Sequence, residues 1–202
     1  MLNIPILLLA AGTSSRMGSP KALLDWKGSP LIVSRIKTLN KTNQAVIVVL
    51  GAYADQILAH IKTLNCSYVI NENWNDGMGS SIAFGVDYLK RYFNSIDGII
   101  ITTIDQPLVD ENHLSKLINR FKKSQKQLLV SKSNQNWKGI PALFDAYYIE
   151  ELCKLQGDSG AKIIIQNNMR NVLSVDGGDQ LIDIDTPEDY KALIKSTTNC
   201  DH

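Results

Sequence analysis

The sequence predicts an α/β fold in three layers, with helices on both faces of a mostly parallel central sheet. Short apolar runs of strand length alternate with segments whose apolar residues recur at helical spacing, along most of the 202 residues. The runs are continuously apolar, as in strands that are buried on both faces. Because neighbouring parallel strands need a crossover connection, usually a helix, this alternation predicts strand–helix–strand units.

The first 104 residues supply four predicted strands and the helices between them. Each strand is rich in Ile, Val or Leu, and the four lie at residues 4–9, 45–50, 67–70 and 98–104. The helices are predicted where apolar residues three or four positions apart form one face. They lie around Ile32, Ile36 and Leu39, over residues 53–63, and from Met78 to Leu89.

Beyond residue 104 the pattern begins with one clear helix and then becomes less regular. Asp110 is expected to cap that helix, whose buried face carries Leu114, Leu117, Ile118 and Phe121. Short strands are predicted at residues 128–131, 138–144 (broken by Pro141), 172–175 and 181–184, and Asp158 is expected to cap a short helix over residues 163–165.

The last helix has the strongest start signal in the chain. Thr186 is expected to be its cap, Pro187 occupies the first helical position, and Glu188 and Asp189 place acids in the first turn. A polar tail is predicted after about residue 196. Because no linker or internal repeat interrupts the pattern, residues 1–202 are predicted to form a single domain.

Composition excludes several classes of protein. Lys plus Arg number 21 and Asp plus Glu 20, so the formal net charge of +1 gives no general reason to bind nucleic acid or anionic membrane. The longest early apolar run covers residues 6–11, far short of the roughly 20 that a membrane helix needs. Cys66, Cys153 and Cys200 are too scattered for a disulfide framework or a zinc cluster, which predicts a cytoplasmic protein with thiols.

The loop after the first predicted strand has the composition of a phosphate-binding loop. Small residues bring the backbone close to a ligand and present N–H groups to anionic oxygens, hydroxyls add further donors, and two cations can neutralise phosphate. Neither a Walker loop nor the dinucleotide fingerprint fits its spacing, and an ordinary surface loop is the alternative. The residues in question are Ala10, Ala11, Gly12, Thr13, Ser14, Ser15, Arg16 and Lys21.

Residues 9–21 resemble the LAAGxSxRMGxxK signature of nucleotidyltransferases with a MobA-like fold. The resemblance implies a Rossmann-like nucleotidyltransferase fold in which Leu9 and this loop bind the nucleotide. Arg16 and Lys21 would contact the phosphates, while the backbone of Ala10, Ala11 and Gly12 would lie against base and ribose.

Two acidic segments predict a magnesium site. Asp105 follows a buried strand, where a carboxylate needs a cation or hydrogen-bond donors, and Mg²⁺ prefers one or two carboxylates plus phosphate oxygens. A turn before Pro107 is the alternative. The string of residues 105–107 resembles the metal-binding motif of the same family, and residues 183–189 resemble its DIDTPED segment. The resemblance implies Mg²⁺ on Asp105 and Asp185.

Residues 71–82 resemble the N-x-x-W-x-x-G-M-x-x-S-I motif of molybdenum cofactor cytidylyltransferases and their close relatives. The resemblance implies that this segment binds the acceptor, through Trp74, Gly77, Met78, Ser80 and Ser81. Two positions depart from the pattern of these relatives. Lys162 replaces an Arg in a later Gly-Asp-x-Gly-Ala-Arg motif, and Ile140 stands where a polar residue is common.

Together these resemblances imply a Mg²⁺-dependent transfer of a nucleoside monophosphate from CTP to the phosphate of molybdopterin, with release of pyrophosphate. Arg16, Lys21 and Asp105 would be the catalytic residues, and a molybdoenzyme or its chaperone would be a further partner. Other readings stay open. They are GTP or another NTP as the donor, a sugar phosphate as the acceptor, or a chaperone that binds nucleotide and cofactor without catalysis.

Overall fold

The computed structural model describes residues 2–198, which form a seven-stranded sheet between two layers of helices. The strands are β1 (Ile6–Ala10), β2 (Asp25–Trp26), β3 (Ser29–Pro30), β4 (Val46–Leu50), β5 (Ser67–Ile70), β6 (Gly98–Thr103), β7 (Leu128–Lys132), β8 (Lys138–Asp145) and β9 (Val172–Asp176). The helices are α1 (Leu31–Asn40), α2 (Ala54–Ile61), α3 (Met78–Tyr92), α4 (Glu111–Arg120), α5 (Ile149–Leu152), α6 (Lys162–Asn167) and α7 (Pro187–Thr198).

The strand order of the main sheet is β5-β4-β1-β6-β8-β7-β9, and β2 pairs with β3 in a separate hairpin. All neighbours in the main sheet are parallel except β8, which runs antiparallel to both β6 and β7. Because β8 is antiparallel to both of its neighbours, β7 and β9 run in the same direction as β6. The carboxyl ends of β1, β4, β6, β7 and β9 therefore meet at one edge. In parallel α/β sheets ligands bind beyond that edge.

The core has two halves because side chains alternate across the sheet. Ile6 and Leu8 of β1 pack on one face with α1, α2, α4 and α7, whereas Leu7 and Leu9 pack on the other with α3, α5 and α6. Every residue of β1 and β4 is buried, as the continuous apolar runs predict. The prediction of three layers around a mostly parallel sheet is therefore confirmed.

The structure corrects the prediction of a strand at residues 181–184. A 3-10 helix covers Gly178–Leu181, and irregular backbone follows it up to α7. The amide of Ile184 donates to the carbonyl of Asp105 over 2.8 Å and is thereby used outside any strand ladder. Leu181 and Ile184 are buried and Ile182 and Asp183 between them are exposed, so the buried residues are spaced by three positions rather than by the two of a strand.

Three smaller predictions are also wrong. Asp158 caps no helix, because α6 begins later, at Lys162, after Ala161. Pro141 does not end its strand, since β8 continues through it, although the pairing with β7 skips Ile140 and Pro141 at a shift of register. Phe121 is not on the helix, because α4 ends one residue earlier, although the ring is buried as predicted.

The start of α7 is confirmed in detail. Thr186 Oγ1 accepts from the amide of Asp189 over 3.2 Å, and Asp189 Oδ2 accepts from the amide of Thr186 over 2.8 Å. The Thr186 hydroxyl also donates to Asp189 Oδ2, and this bond, together with the one from the Thr186 amide, holds the pKa of Asp189 below its ordinary value. The helix continues to Thr198, past the predicted start of a polar tail, and Cys200 lies outside the described residues.

Two further expectations from composition concern the thiols and the membrane. Cys66 and Cys153 are half-buried free thiols, and burial raises the pKa of both. Within residues 2–198, no helix is long and apolar enough to span a lipid bilayer.

Candidate active site

A cavity of about 330 Å³ opens at the carboxyl edge of the sheet, beyond the ends of β1, β4 and β6. Most of the residues that line it come from three segments that the sequence singles out. These are the end of β1 and the loop after it (Leu9, Ala10, Ala11, Gly12, Thr13, Ser14 and Lys21), the end of β6 and the turn after it (Thr103, Ile104 and Asp105), and the start of α3 with the turn before it (Trp74, Gly77, Met78 and Ser81). Ser15, Arg16 and Ser80 do not line this cavity.

The loop after β1 is folded onto itself by Ser14. This residue adopts a left-handed conformation (φ 54°), and its carbonyl accepts from the amide of Met17 over 2.8 Å. The Ser14 hydroxyl accepts from the amide of Lys21 over 3.1 Å, which closes the loop. The turn therefore holds the lysine backbone against the loop that precedes it.

Two cations and two carboxylates meet beside the cavity. Lys21 Nζ lies 2.7 Å from Asp185 Oδ1 and 3.8 Å from Asp105 Oδ2, and Arg16 Nη2 lies 3.1 Å from Asp185 Oδ2. The Lys21 side chain is only 11% exposed, whereas that of Arg16 is 70% exposed. The lysine pair is thus shielded from water, and the arginine pair is a surface contact that contributes little to stability.

Asp105 retains an unused acceptor. Its Oδ1 atom is buried and has no hydrogen-bond partner within the described part of the chain. A buried carboxylate oxygen without a donor is costly, so this atom is suited to receive a cation or a donor from a ligand. The backbone bond from Ile184 to Asp105 brings Asp185 to the same place.

A third carboxylate, Asp183, lies at the edge of this cluster. Desolvation first, and then repulsion from Asp105, raises its pKa to about 6, while a hydrogen bond from the buried Gln106 side chain acts in the opposite direction. The residue as a whole is exposed, so the desolvation reflects crowding of its carboxyl group against the Gln106 loop. The cluster thus contains three carboxylates and two cations, so it favours a further positive charge.

The start of α3 is held by an internal hydrogen-bond network. The side-chain amide of the buried Asn71 donates to the hydroxyls of Ser80 and Ser81, over 3.1 Å in each case. The Ser80 hydroxyl lies 2.9 Å from the carbonyls of both Asn73 and Gly77. Ser80 therefore ties the preceding loop to the helix, whereas Ser81 faces the cavity.

The Gly-Asp-x-Gly-Ala-Lys segment packs against this helix start. The amide of Gly79 donates to the carbonyl of Gly157 over 2.8 Å. Gly77 has a φ of 92°, and a Cβ there would lie 2.5 Å from Asp158 Oδ1, so a side chain at this position would collide with the segment. Asp158 lines the cavity, while Lys162 is exposed and does not.

Sequence reasoning missed the contribution of the segment after β4. Tyr53 and Ile57 line the cavity, and Gly51 lies beneath it, where the amide of Ala52 donates to the carbonyl of Ala11 over 3.0 Å. None of Gly51, Tyr53 and Ile57 is charged, and the segment contains no motif that points to nucleotides. The available signal was topological, since the carboxyl end of a strand beside β1 must lie at the same edge.

Gly51→Ala is expected to lower the free energy of unfolding by about 1–3 kcal/mol. A Cβ at this position would lie 2.5 Å from the Ala11 carbonyl and 2.7 Å from Trp74 Cβ, so backbone must move. Urea denaturation without nucleotide measures the loss. Gly12→Ala is the matched control for stability, because a Cβ there meets nothing within 4 Å. Equal stability of the two variants would contradict the prediction.

Comparison with known proteins agrees with this geometry. The profile of the MobA-like NTP transferase domain matches residues 6–172. The chain belongs to this family. The resemblance seen in the sequence is thereby confirmed, and the MobA-like NTP transferase domain places the chain among the nucleotidyltransferases.

Two curated relatives of this MobA-like chain carry names from different reaction classes. It is 27% identical to a nicotine blue oxidoreductase of Paenarthrobacter nicotinovorans over 196 residues, which cover 93% of this chain and 94% of the relative. It is 24% identical to a probable molybdenum cofactor guanylyltransferase of Bacillus cereus (strain AH187), with 96% of both chains covered. The names alone therefore do not decide the reaction.

Solved structures share the whole fold of this MobA-like chain. Rv0371c from Mycobacterium tuberculosis H37Rv superimposes with a TM-score of 0.83 at 26% identity, covering 96% of this chain and 98% of the other. A further structure of Rv0371c is a complex with manganese. A nucleotidyl transferase from Methanothermobacter, Mth528, has a TM-score of 0.82 at 20% identity, covering 98% and 99%, and shows the fold alone. The predicted Rossmann-like nucleotidyltransferase fold is confirmed.

Proposed function

We propose that this chain transfers a nucleoside monophosphate from CTP to the phosphate of molybdopterin. The observation that carries the proposal is the meeting of Lys21, Asp105 and Asp185 beside the cavity lined by the loop after β1. The name of the Bacillus cereus relative supports molybdenum cofactor as the target. The choice of CTP is supported by the motif at residues 71–82, and the same relative keeps GTP as the second candidate.

The reaction is a displacement at the α-phosphorus of the nucleotide. An oxygen of the acceptor phosphate forms the new bond, the bond from the α-phosphorus to the bridging oxygen breaks, and pyrophosphate leaves with that electron pair. The chain supplies no covalent intermediate in this scheme. Its contribution is to position the two substrates and to stabilise the developing negative charge.

Each part of the site has a role in this scheme. The backbone and hydroxyls of the loop, residues 9–15, hold the nucleotide in the cavity. Lys21 and Arg16 stabilise charge on the leaving pyrophosphate, Lys21 as a compact point charge and Arg16 through its planar fork. Both cations pair with Asp185, so a bound triphosphate would compete with this carboxylate for them.

The residues present fit a divalent cation held jointly by protein and nucleotide. Asp105 Oδ1 is buried without a partner, and the Lys21 ammonium lies between Asp105 and Asp185, where positive charge is favoured. Within the described residues no three His, Cys, Asp or Glu side chains are grouped as a complete metal site. Mg²⁺ suits this arrangement because it takes one or two carboxylates together with phosphate oxygens. When bound, it would supply positive charge to the reacting phosphates.

Thermal unfolding with each of CTP, GTP, ATP and UTP, with and without Mg²⁺, tests the nucleotide part of the proposal. A nucleotide at 100 times its dissociation constant should raise the free energy of unfolding by ~2.7 kcal/mol. We expect a Mg²⁺-dependent shift that is largest with CTP. A larger shift with GTP would keep the chemistry and change the donor, and no shift with any nucleotide would contradict the proposal.

Pyrophosphate release separates the remaining readings. Wild-type protein with CTP, Mg²⁺ and molybdopterin is expected to release pyrophosphate. Release with a sugar phosphate in place of molybdopterin would change the acceptor. Nucleotide binding without any release would favour the non-catalytic chaperone.

A further inference from the structure

A second groove, of about 340 Å³, opens at the same edge of the sheet. Its walls are the turn between β7 and β8 and the segment of residues 178–183. In the strand order, β8 and β7 lie on the far side of β6 from β1. The groove is therefore separated from the nucleotide loop by β6 and by the turn after it that contains Asp105. It reaches the carboxylate cluster through Asp183, which lines it.

Apolar surface lines the groove where solvent can reach it. The indole of Trp137 is 44% exposed and Ile182 is 43% exposed, both high for large apolar residues. A Cβ at Gly139 would lie 2.6 Å from Trp137 Cζ2, so the absence of a side chain there lets the indole lie directly on β8. An aromatic ring supported in this way is a platform on which a flat ligand can stack.

The polar residues that line the groove favour a ligand that donates hydrogen bonds. Asp179 and Asp183 contribute carboxylates, and the side-chain amide of Asn134 donates to Asp179 Oδ1 over 2.7 Å, which orients that carboxylate. None of the described residues that line the groove is Lys or Arg. The groove is thus poorly suited to a phosphate, but well suited to a flat ring that presents N–H groups.

The nucleotide cavity leaves little room for a second ligand. The loop after β1 and the Trp74–Ser81 segment line one and the same space of about 330 Å³. That volume is near the lower end of about 300–1,000 Å³ for sites that hold one small molecule. If the nucleotide occupies it, the ring of the acceptor needs another place, and the hydroxyl of Ser80 is already used within the protein.

We propose that the groove between Trp137 and Asp179 binds the ring of the phosphate acceptor, as a flat heterocycle that presents an N–H-rich edge. The ring stacks on Trp137 and pairs its amino and ring N–H groups with Asp179. Its phosphate then points past Asp183 towards Asp185. The inference rests on the proposed nucleotidyl transfer and moves the acceptor from the Trp74–Ser81 segment to this groove.

Pterin itself (2-amino-4-oxopteridine) is a suitable probe, and lumazine, which has oxygen in place of the 2-amino group, is the matched ligand. Equilibrium dialysis of the full chain, with and without CTP and Mg²⁺, measures the dissociation constants. We expect Trp137→Ala and Asp179→Asn to weaken pterin binding about tenfold or more, and Trp137→Phe to retain most of it. Lumazine should bind wild type about tenfold more weakly than pterin, since a carbonyl would face the carboxylate.

Trp74→Ala is the variant that distinguishes the two locations. Trp74→Ala is expected to leave the dissociation constant for pterin within about twofold of wild type. The control for Trp137→Ala is the shift in its unfolding temperature with CTP, which shows that this variant still folds and binds the nucleotide. Loss of pterin binding in Trp74→Ala, with normal binding in Trp137→Ala, would overturn the inference. Absence of pterin binding to wild type under all these conditions would also overturn it.

The two proposals fail in different ways. If nucleotides stabilise the protein and pterin does not bind, the groove inference falls and the nucleotidyl transfer stands. If pterin binds in a manner that requires Trp137 and Asp179 but no nucleotide stabilises the protein, the proposed transfer falls, and the groove remains a site for such rings.

Discussion

Lys21→Ala is expected to lower turnover by about 10²-fold or more while leaving the fold intact. The side chain is almost buried, and within the described residues its ammonium pairs with Asp105 and Asp185, which are polar groups at the cavity rather than members of the apolar core. Its loss removes the shielded cation of the cluster and leaves only the exposed Arg16 to oppose three carboxylates. Pyrophosphate release measures the effect, with circular dichroism as the check on folding.

Two further variants show whether the effect is specific. Lys195→Ala removes an exposed lysine of α7 and should have wild-type turnover. Lys21→Arg keeps the charge, but its planar fork does not match a compact ammonium 2.7 Å from Asp185 Oδ1, so we expect only partial activity. A Lys21→Ala protein with most of its activity would remove Lys21 from the catalytic set.

Asp105→Ala is expected to lower Mg²⁺-dependent turnover by about 10²-fold or more, as Lys21→Ala does. Asp105→Asn is the sharper variant, because it keeps the shape of the side chain, while the backbone bond from Ile184 is present in both variants. It removes the charge at the buried oxygen that has no partner. Both variants should also lose the part of the nucleotide-induced thermal shift that depends on Mg²⁺.

Mn²⁺ gives an independent measure of the same site. Electron paramagnetic resonance of Mn²⁺ with CTP and protein should show weaker metal binding in Asp105→Asn than in wild type. Asp87→Asn is the matched control, since that carboxylate pairs with Arg91 on the surface of α3. Metal binding and turnover that are unchanged in Asp105→Asn would show that Asp105 is a turn residue, as the alternative interpretation of the sequence holds.

The secondary structure was largely predictable, because the spacing of apolar residues along each segment distinguishes a helix from a strand. The direction and place of β8 were not, since a strand pattern contains no information about its neighbours, and β8 inserts between β6 and β7 in reverse. The error at residues 181–184 has the same origin. Their alternation is typical of a strand, but a bond to the distant Asp105 carbonyl fixes Ile184 in irregular backbone.

The candidate site was predictable where several chemical signals coincide in one short segment. Glycine, hydroxyls and two cations after β1 drew attention to Lys21, and a carboxylate after a buried strand drew attention to Asp105. Gly51 and Trp137 carry no such signal, because their roles depend on surfaces brought close by the fold. The family resemblance favoured Asp185 over Asp183 as a metal ligand, and in the structure the two carboxylates have different neighbours, Gln106 for Asp183 and Lys21 for Asp185.

The bond between the Ile184 amide and the Asp105 carbonyl has a consequence for the order in which the protein is made. During synthesis the ribosome releases β9, the last strand of the sheet, before Asp185 has emerged. All the strands of the sheet and the loop after β1 have then been synthesised, but the carboxylate that pairs with Lys21 has not. The sheet can thus form first, and the charged cluster of Lys21, Asp105 and Asp185 is complete only when the final segment docks.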